Sequence, residues 1–361
     1  MIILTGLAES LLYCIFALIM GNLVLIAIPQ AFKPEIVIPR RVFTIIPLLI
    51  PILGFVPILR IVFFFYRDFG FGVTLESVLF TFTEGKAYLL IAILSVLLSL
   101  LFNWVDLKVN KKAYIAACCF LIIMIITSGW ASHSAALFGW PGFLGNSFHF
   151  LSSIIWSGIL LIVSWFSRTA DWEKFIKWFT PTAIFCFLGI FASGLAIMQG
   201  IAPEYMNSWM LSYGQALLLK HLTIVPLMVF AFINGFLYRR KLRLNHKWNP
   251  KPWLRVESLL LLILFTITGF MGQQATPHDV SVTIRESGVS TWFQAFQSNV
   301  VGGTSNIILQ GNVLSYSLAL CAIIFISMIL YSARRVHAWK HAFLYSICFI
   351  IAAYLALMTA A

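Results

Sequence analysis

The chain has 361 residues, 61% hydrophobic and 10% charged, with a mean hydropathy of +0.96. A soluble domain carries about 25% charged residues, so this composition excludes a soluble globular fold and points to a chain threaded repeatedly through a bilayer. The net charge of +12 is scattered between apolar runs rather than gathered on one domain, which argues against a nucleic-acid partner.

In chain order, apolar runs of spanning length occupy residues 7–28, 42–66, 88–103, 113–129, 147–166, 180–200, 214–238, 254–272, 312–331 and 342–358. They predict an all-α, polytopic membrane bundle of ten helices. The first run lacks a basic leader and carries Glu9, so it reads as a retained helix rather than a cleaved signal. Pro47, Pro51 and Pro57 predict a bent or broken second helix. The third run is short and can begin as early as Leu75. Three regions follow: an N-terminal four-helix part (1–130), a core (131–278), and a long connection with two last helices (279–361).

Lysine and arginine alternate with the connections. Odd connections hold Lys33, Arg40, Arg41, Lys108, Lys111, Lys112, Arg168, Lys174 and Lys177. They continue with Arg239, Arg240, Lys241, Arg243, Lys247, Lys251, Arg334, Arg335 and Lys340, whereas even connections hold only Arg67, Lys86 and Arg285. By the positive-inside rule this bias places both termini outside and the basic loops in the cytoplasm. Trp130, Trp140 and Trp209 then fall at outer ends, and Trp104, Trp165, Trp172, Trp178, Trp248, Trp253 and Trp339 near inner ends, as an aromatic belt requires. The longest connection, 273–311, is outer and contains Pro277-His278-Asp279 and Gly302-Gly303-Thr304-Ser305-Asn306. It reads equally as a lid or partner surface and as a solvated linker.

With this orientation, four of the seven histidines collect in the outer third: His133, His149 (first turn of the fifth helix), His221 and His278. Met198 and Met271 close the sixth and eighth helices at the same level. Imidazole and thioether suit copper, the thioether favouring Cu(I). The plainer reading is an interfacial loop residue for His133, a packed ring for His221 and core filling for the methionines. Ser132, Ser134, Asn146 and Gln273 are near in sequence as partners for the second ring nitrogens.

Lys220 lies about 10 Å into its run at 1.5 Å per residue, where it either snorkels to the nearer surface or acts as a gate. Arg60 lies at a similar depth in the second helix. Glu257, in the first turn of the eighth helix, is too far from Lys220 along the axis for a direct ion pair, and Arg255 or a basic loop residue suits it better. Asn234, near the cytoplasmic end of the seventh helix, can hydrogen-bond across helices. His246, His337 and His341 sit in basic loops as solvated residues. The six cysteines lie in apolar runs without a Cys-x-x-Cys pair, which argues against a disulfide framework or a zinc site. No phosphate-binding loop or hydrolytic constellation is present, which excludes an ATP-driven pump and argues against an enzyme.

The motif Tyr213-Gly214-Gln215-Ala216-Leu217-Leu218-Leu219-Lys220 resembles the Tyr-Gly-x-x-Leu-Leu-x-Lys signature of the bacterial copper-resistance protein D (CopD) family. Phe191-Ala192-Ser193-Gly194, Asn234 and Arg255-Val256-Glu257-Ser258 follow the same order. His149-Phe150-Leu151-Ser152-Ser153-Ile154-Ile155-Trp156-Ser157-Gly158 resembles the family's His-Leu-x-x-x-x-Trp-x-Gly helix. The resemblance covers residues 132–277. It implies a multi-pass protein of the bacterial plasma membrane that carries copper ion inward from an extracytoplasmic chaperone. Some relatives carry a fused copper-binding β-sandwich; none is found here, so the donor would be a separate protein. Two other classes stay open: a b-type haem electron carrier using His149 and His221 as axial ligands, and an assembly factor handing copper to an oxidase.

Overall fold

A computed structural model describes residues 1–168, 171–244, 248–297, 306–335 and 337–361. His246 and most of the glycine-rich run 302–306 lie outside the described residues. Among these residues ten helices are long and apolar enough to cross a membrane, and the chain is an all-α multi-pass membrane protein. The chain divides into two compact units, Met1–Gly200 and Ile201–Ala361.

The first unit is built on α1 (Ile2–Ala27), packed along its length against α8 (Trp140–Phe166). Glycines set their approach. A Cβ on Gly158 would stand 2.0 Å from the Ala17 carbonyl oxygen, and one on Gly21 would stand 2.3 Å from the Gly158 backbone. Small residues at such a crossing let two backbones touch where apolar lipid offers no hydrophobic drive. The proline-rich second span is broken as expected. It runs as α2 (Arg40–Ile45), a 3-10 turn over Ile46–Leu48 containing Pro47, and α3 (Leu49–Phe69) with Pro57 inside. The third span does not extend back to Leu75. Gly70, at φ 79°, ends α3 and starts a separate short helix, α4 (Phe71–Phe80), before α5 (Thr83–Trp104). Then α6 (Lys111–Trp130) is capped by the Asn110 side chain, and α7 (His133–Phe138) by that of Ser132. The sixth span, α9 (Trp172–Ile201), carries Pro181.

The second unit gathers α10 (Ser212–Phe232), α12 (Lys251–Met271), α15 (Val313–Ser332) and α16 (Trp339–Ala360). Past α10 the chain makes a π turn at Ile233–Leu237 before α11 (Tyr238–Leu244). The described part of the long connection is packed rather than a bare linker. It forms α13 (Val280–Ser287) and α14 (Thr291–Gln294), whose Val280, Ile284 and Phe293 join Trp209, Met210, Leu218, Tyr354 and Met358 in one buried cluster. Asn207 ties down its far end, bonding the Asn306 side chain at 2.9 Å and the Ile307 amide at 2.9 Å.

Candidate functional site

The seventh-span motif is explained first by packing. A Cβ at Gly214 would fall 1.9 Å from the Ser208 carbonyl oxygen, so only glycine lets the start of α10 press onto the 3-10 turn Asn207–Met210. Gln215, 4% exposed, donates to the Trp209 carbonyl at 2.6 Å and accepts from the Tyr354 hydroxyl at 2.5 Å. Its amide also approaches the Met358 sulfur at 3.4 Å. A buried amide bonded on both sides locks the end of α10 to α16 and to the turn before it.

One turn and a half further along α10, Nδ1 of the half-buried His221 stands 2.8 Å from the Tyr205 hydroxyl, with the rings 5.4 Å apart. Burial pushes the Tyr205 phenol up, so it stays protonated and the pair is a neutral phenol with an imidazole. The direction of this bond selects the tautomer. If Nδ1–H donates to the phenol oxygen, the lone pair of the neutral ring lies on Nε2, where a metal would take it. Tyr205 lies in a loop outside every periodic run and carries no motif signal in the sequence. The same holds for Met206 and Met210. Tyr205 and Met206 pack on the buried cluster that contains Met210 and Met358.

His149 is also partnered, within the first unit. It is not in the first turn of its helix. Gly139 (φ 58°) and Trp140-Pro141 start α8 earlier, as proline favours a first helical turn, and His149 lies about 13 Å along it. Its Nδ1 is 3.2 Å from Ser193 Oγ on α9. The Ser193 hydroxyl spends its single proton on the Gly189 carbonyl at 2.6 Å, so toward His149 it accepts. A bond donated from His149 Nδ1 to this oxygen would put the lone pair of a neutral ring on Nε2. Gly194, beside Ser193, lets the ring lie close: a Cβ there would touch His149 Cε1 at 3.4 Å.

His133 is exposed at the start of α7, and His278 is exposed with Nδ1 3.4 Å from Thr276 Oγ1. Met198 is partly exposed on α9, which continues past it to Ile201, and Met271 is buried at the last position of α12. His133, His149 and Met198 belong to the first unit, and His221, Met271 and His278 to the second. Among the described residues no group of three or more His, Cys, Asp or Glu could hold a metal ion. Ser132 and Ser134 are used locally. The first caps α7, and the second donates to the Gly142 carbonyl at 3.2 Å. Gln273 donates to its own helix at Gly269, 3.3 Å away.

Lys220 is half-buried on α10, and Arg60 half-buried on α3. Glu257 is not in the first turn but in the second of α12, 2% exposed. Asn234 makes the expected bond across helices. Its amide nitrogen donates to Glu257 Oε2 at 2.7 Å. Fourteen residues separate Lys220 from Asn234, about 20 Å of helix, which puts Lys220 out of reach of this carboxylate.

Neither curated proteins nor solved structures yield a match. One family model does, over a stretch shorter than that suggested by the motifs. It contains Ser193, Met198, Tyr205, Lys220, His221, Asn234, Glu257 and Met271, and leaves out His133, His149 and His278. Residues 173–271, from the start of α9 to the end of α12, match the model of the CopD family, copper resistance protein D, and the chain is similar to that family over this stretch.

Proposed function

We propose that this protein carries copper ion across the bacterial plasma membrane, inward and as Cu(I), with His221 as its principal ligand in the second unit. The observation that carries the reading is the Tyr205–His221 contact inside the family-matched stretch. A phenol that accepts from Nδ1–H presents Nε2 to a metal and holds the ring in place, as outer-shell partners of metal-binding histidines do. Thioethers are at hand in the same packed region, from Met206, Met210 and Met358, besides Met271 at the end of α12. Soft sulfur with imidazole selects Cu(I) over the hard divalent ions. In the first unit His149, with its ring oriented by Ser193, has the strongest claim to handle copper, followed by His133 and Met198. His278 and Lys220 are assigned to the approach and to gating, and Arg60 to gating in its own unit. The donor is a separate extracytoplasmic chaperone, and the surrounding lipid is the other partner. The protein acts as a carrier rather than an enzyme.

Purified protein loaded with Cu(I) and desalted should retain the metal and show no Soret band. Stoichiometric haem in protein from its native host would overturn this reading in favour of an electron carrier.

A further inference from the structure

At the end of the second unit that the charge bias assigns to the cytoplasm, residues 239–255 and 334–340 carry ten Lys or Arg and no Asp or Glu. Lys241 is spent within the fold. Its Nζ donates to the Ala333 carbonyl at 2.7 Å and lies 5.0 Å from the Tyr238 ring and 5.9 Å from that of Trp248. The Tyr238 hydroxyl donates to the same carbonyl at 3.4 Å. A lysine on the last carbonyls of a helix satisfies groups that the helix itself leaves open, so the end of α15 is capped from α11.

Arg334 and Arg335 are not needed for that task. Both are exposed, and their guanidinium carbons lie 5.5 Å and 5.9 Å from the centre of one ring, that of Tyr331. Neither meets a carboxylate among the described residues. Two like charges gathered at one ring repel each other, and a shared anion removes that cost. Tyr331 is 56% exposed at the last position but one of α15. Ser327, Ile324 and Leu320, at i−4, i−7 and i−11 from it, continue the same helix face and are exposed as well. Paired positive charge at the helix end and an open, mostly apolar ridge along the helix fit a molecule with an anionic head and a hydrocarbon tail. Topology accounts for positive charge on this face, but not for two guanidinium groups at one ring beside a bare helix face.

We propose that Arg334, Arg335 and Tyr331 bind the phosphate headgroup of an anionic phospholipid, whose acyl chain lies along the face of α15 that carries Ile324 and Leu320. Guanidinium groups take phosphate oxygens in pairs, and basic places at the cytoplasmic ends of membrane helices hold such headgroups. A free phosphate would use the arginines alone and gain nothing from the apolar ridge. The site is distinct from the copper reading and does not depend on it.

The test uses full-length protein in detergent, without copper, and follows thermal unfolding by tryptophan fluorescence. Phosphatidylglycerol, phosphatidylcholine with the same chains, or soluble glycerol phosphate is added. A ligand that binds only the folded state raises the midpoint with its concentration. Phosphatidylglycerol should raise it beyond phosphatidylcholine, and glycerol phosphate should leave it in place. Changing Arg334→Gln and Arg335→Gln together should abolish the difference between the lipids. Changing Lys111→Gln and Lys112→Gln together, which removes the same charge from exposed positions at the start of α6, should preserve it. Equal responses of the parent to the two lipids would overturn the proposal, whether or not the variants fold. So would a lipid preference that persists in the folded arginine variant, or one lost equally in the lysine variant, which would mean attraction by net charge alone. A shift with glycerol phosphate as large as that with phosphatidylglycerol would make this a free-anion site and overturn the lipid assignment.

Discussion

The Tyr205 hydroxyl and Nδ1 of His221 lie 2.8 Å apart, a contact between a loop residue and a helix residue sixteen positions on. It gives His221 a fixed ring plane without using Nε2. In Tyr205→Phe the ring loses that support while the cluster on which Tyr205 packs keeps its aromatic body. Loss of such an outer partner costs about 10- to 100-fold in metal affinity. Competitive Cu(I) titration should show a drop of that size with expression unchanged. Affinity equal to the parent would show that Tyr205 does not act on the metal.

Gly214→Ala tests the packing account of the motif. The new methyl would meet backbone oxygen at Ser208, which cannot swing aside as a side chain can. Overpacking of this kind costs about 1–3 kcal/mol, so the variant should unfold at a lower temperature in detergent. An unchanged midpoint would free the glycine for a different role.

Gly158→Ala makes the same test in the first unit, where the methyl would run into the Ala17 carbonyl of α1. A cost of about 1–3 kcal/mol is again expected, with Cu(I) affinity at His221 unaffected. A variant as stable as the parent would mean that α1 and α8 can part without loss.

Much of this was legible in the sequence, and the failures have physical causes. The ten spans follow from hydropathy, and the broken second span from Pro47, because a missing N–H and a ring clash act locally. The bond from Asn234 to Glu257 was legible on one side only: an amide in an apolar helix must find a partner across helices, but the sequence does not name it. The start of α8 was missed because Trp140-Pro141 is less apolar than the run that follows, although proline in the first turn marks a helix start. Tyr205, Met206 and Met210 were invisible for a different reason. They sit between two helices, and only the tertiary fold brings them beside His221 and α16.

Sidedness rests on the lysine and arginine bias and is tested by labelling. Ser290 is a poor reporter, being 5% exposed with its amide bonded to the Met210 carbonyl. Ser287, at the end of α13, is exposed. In a background with the six native cysteines replaced, Ser287→Cys should react with an impermeant maleimide on intact cells. Reaction only after lysis would invert the topology.

The central claim is that copper passes by way of His221, and the most direct measurement is Cu(I) uptake into proteoliposomes. The parent and His341→Ala, which changes an exposed histidine in the first turn of α16, should accumulate copper alike. His221→Ala should insert normally and lose most of that uptake. Uptake by His221→Ala at the parent rate would return His221 to a packed ring held by Tyr205 and contradict the account.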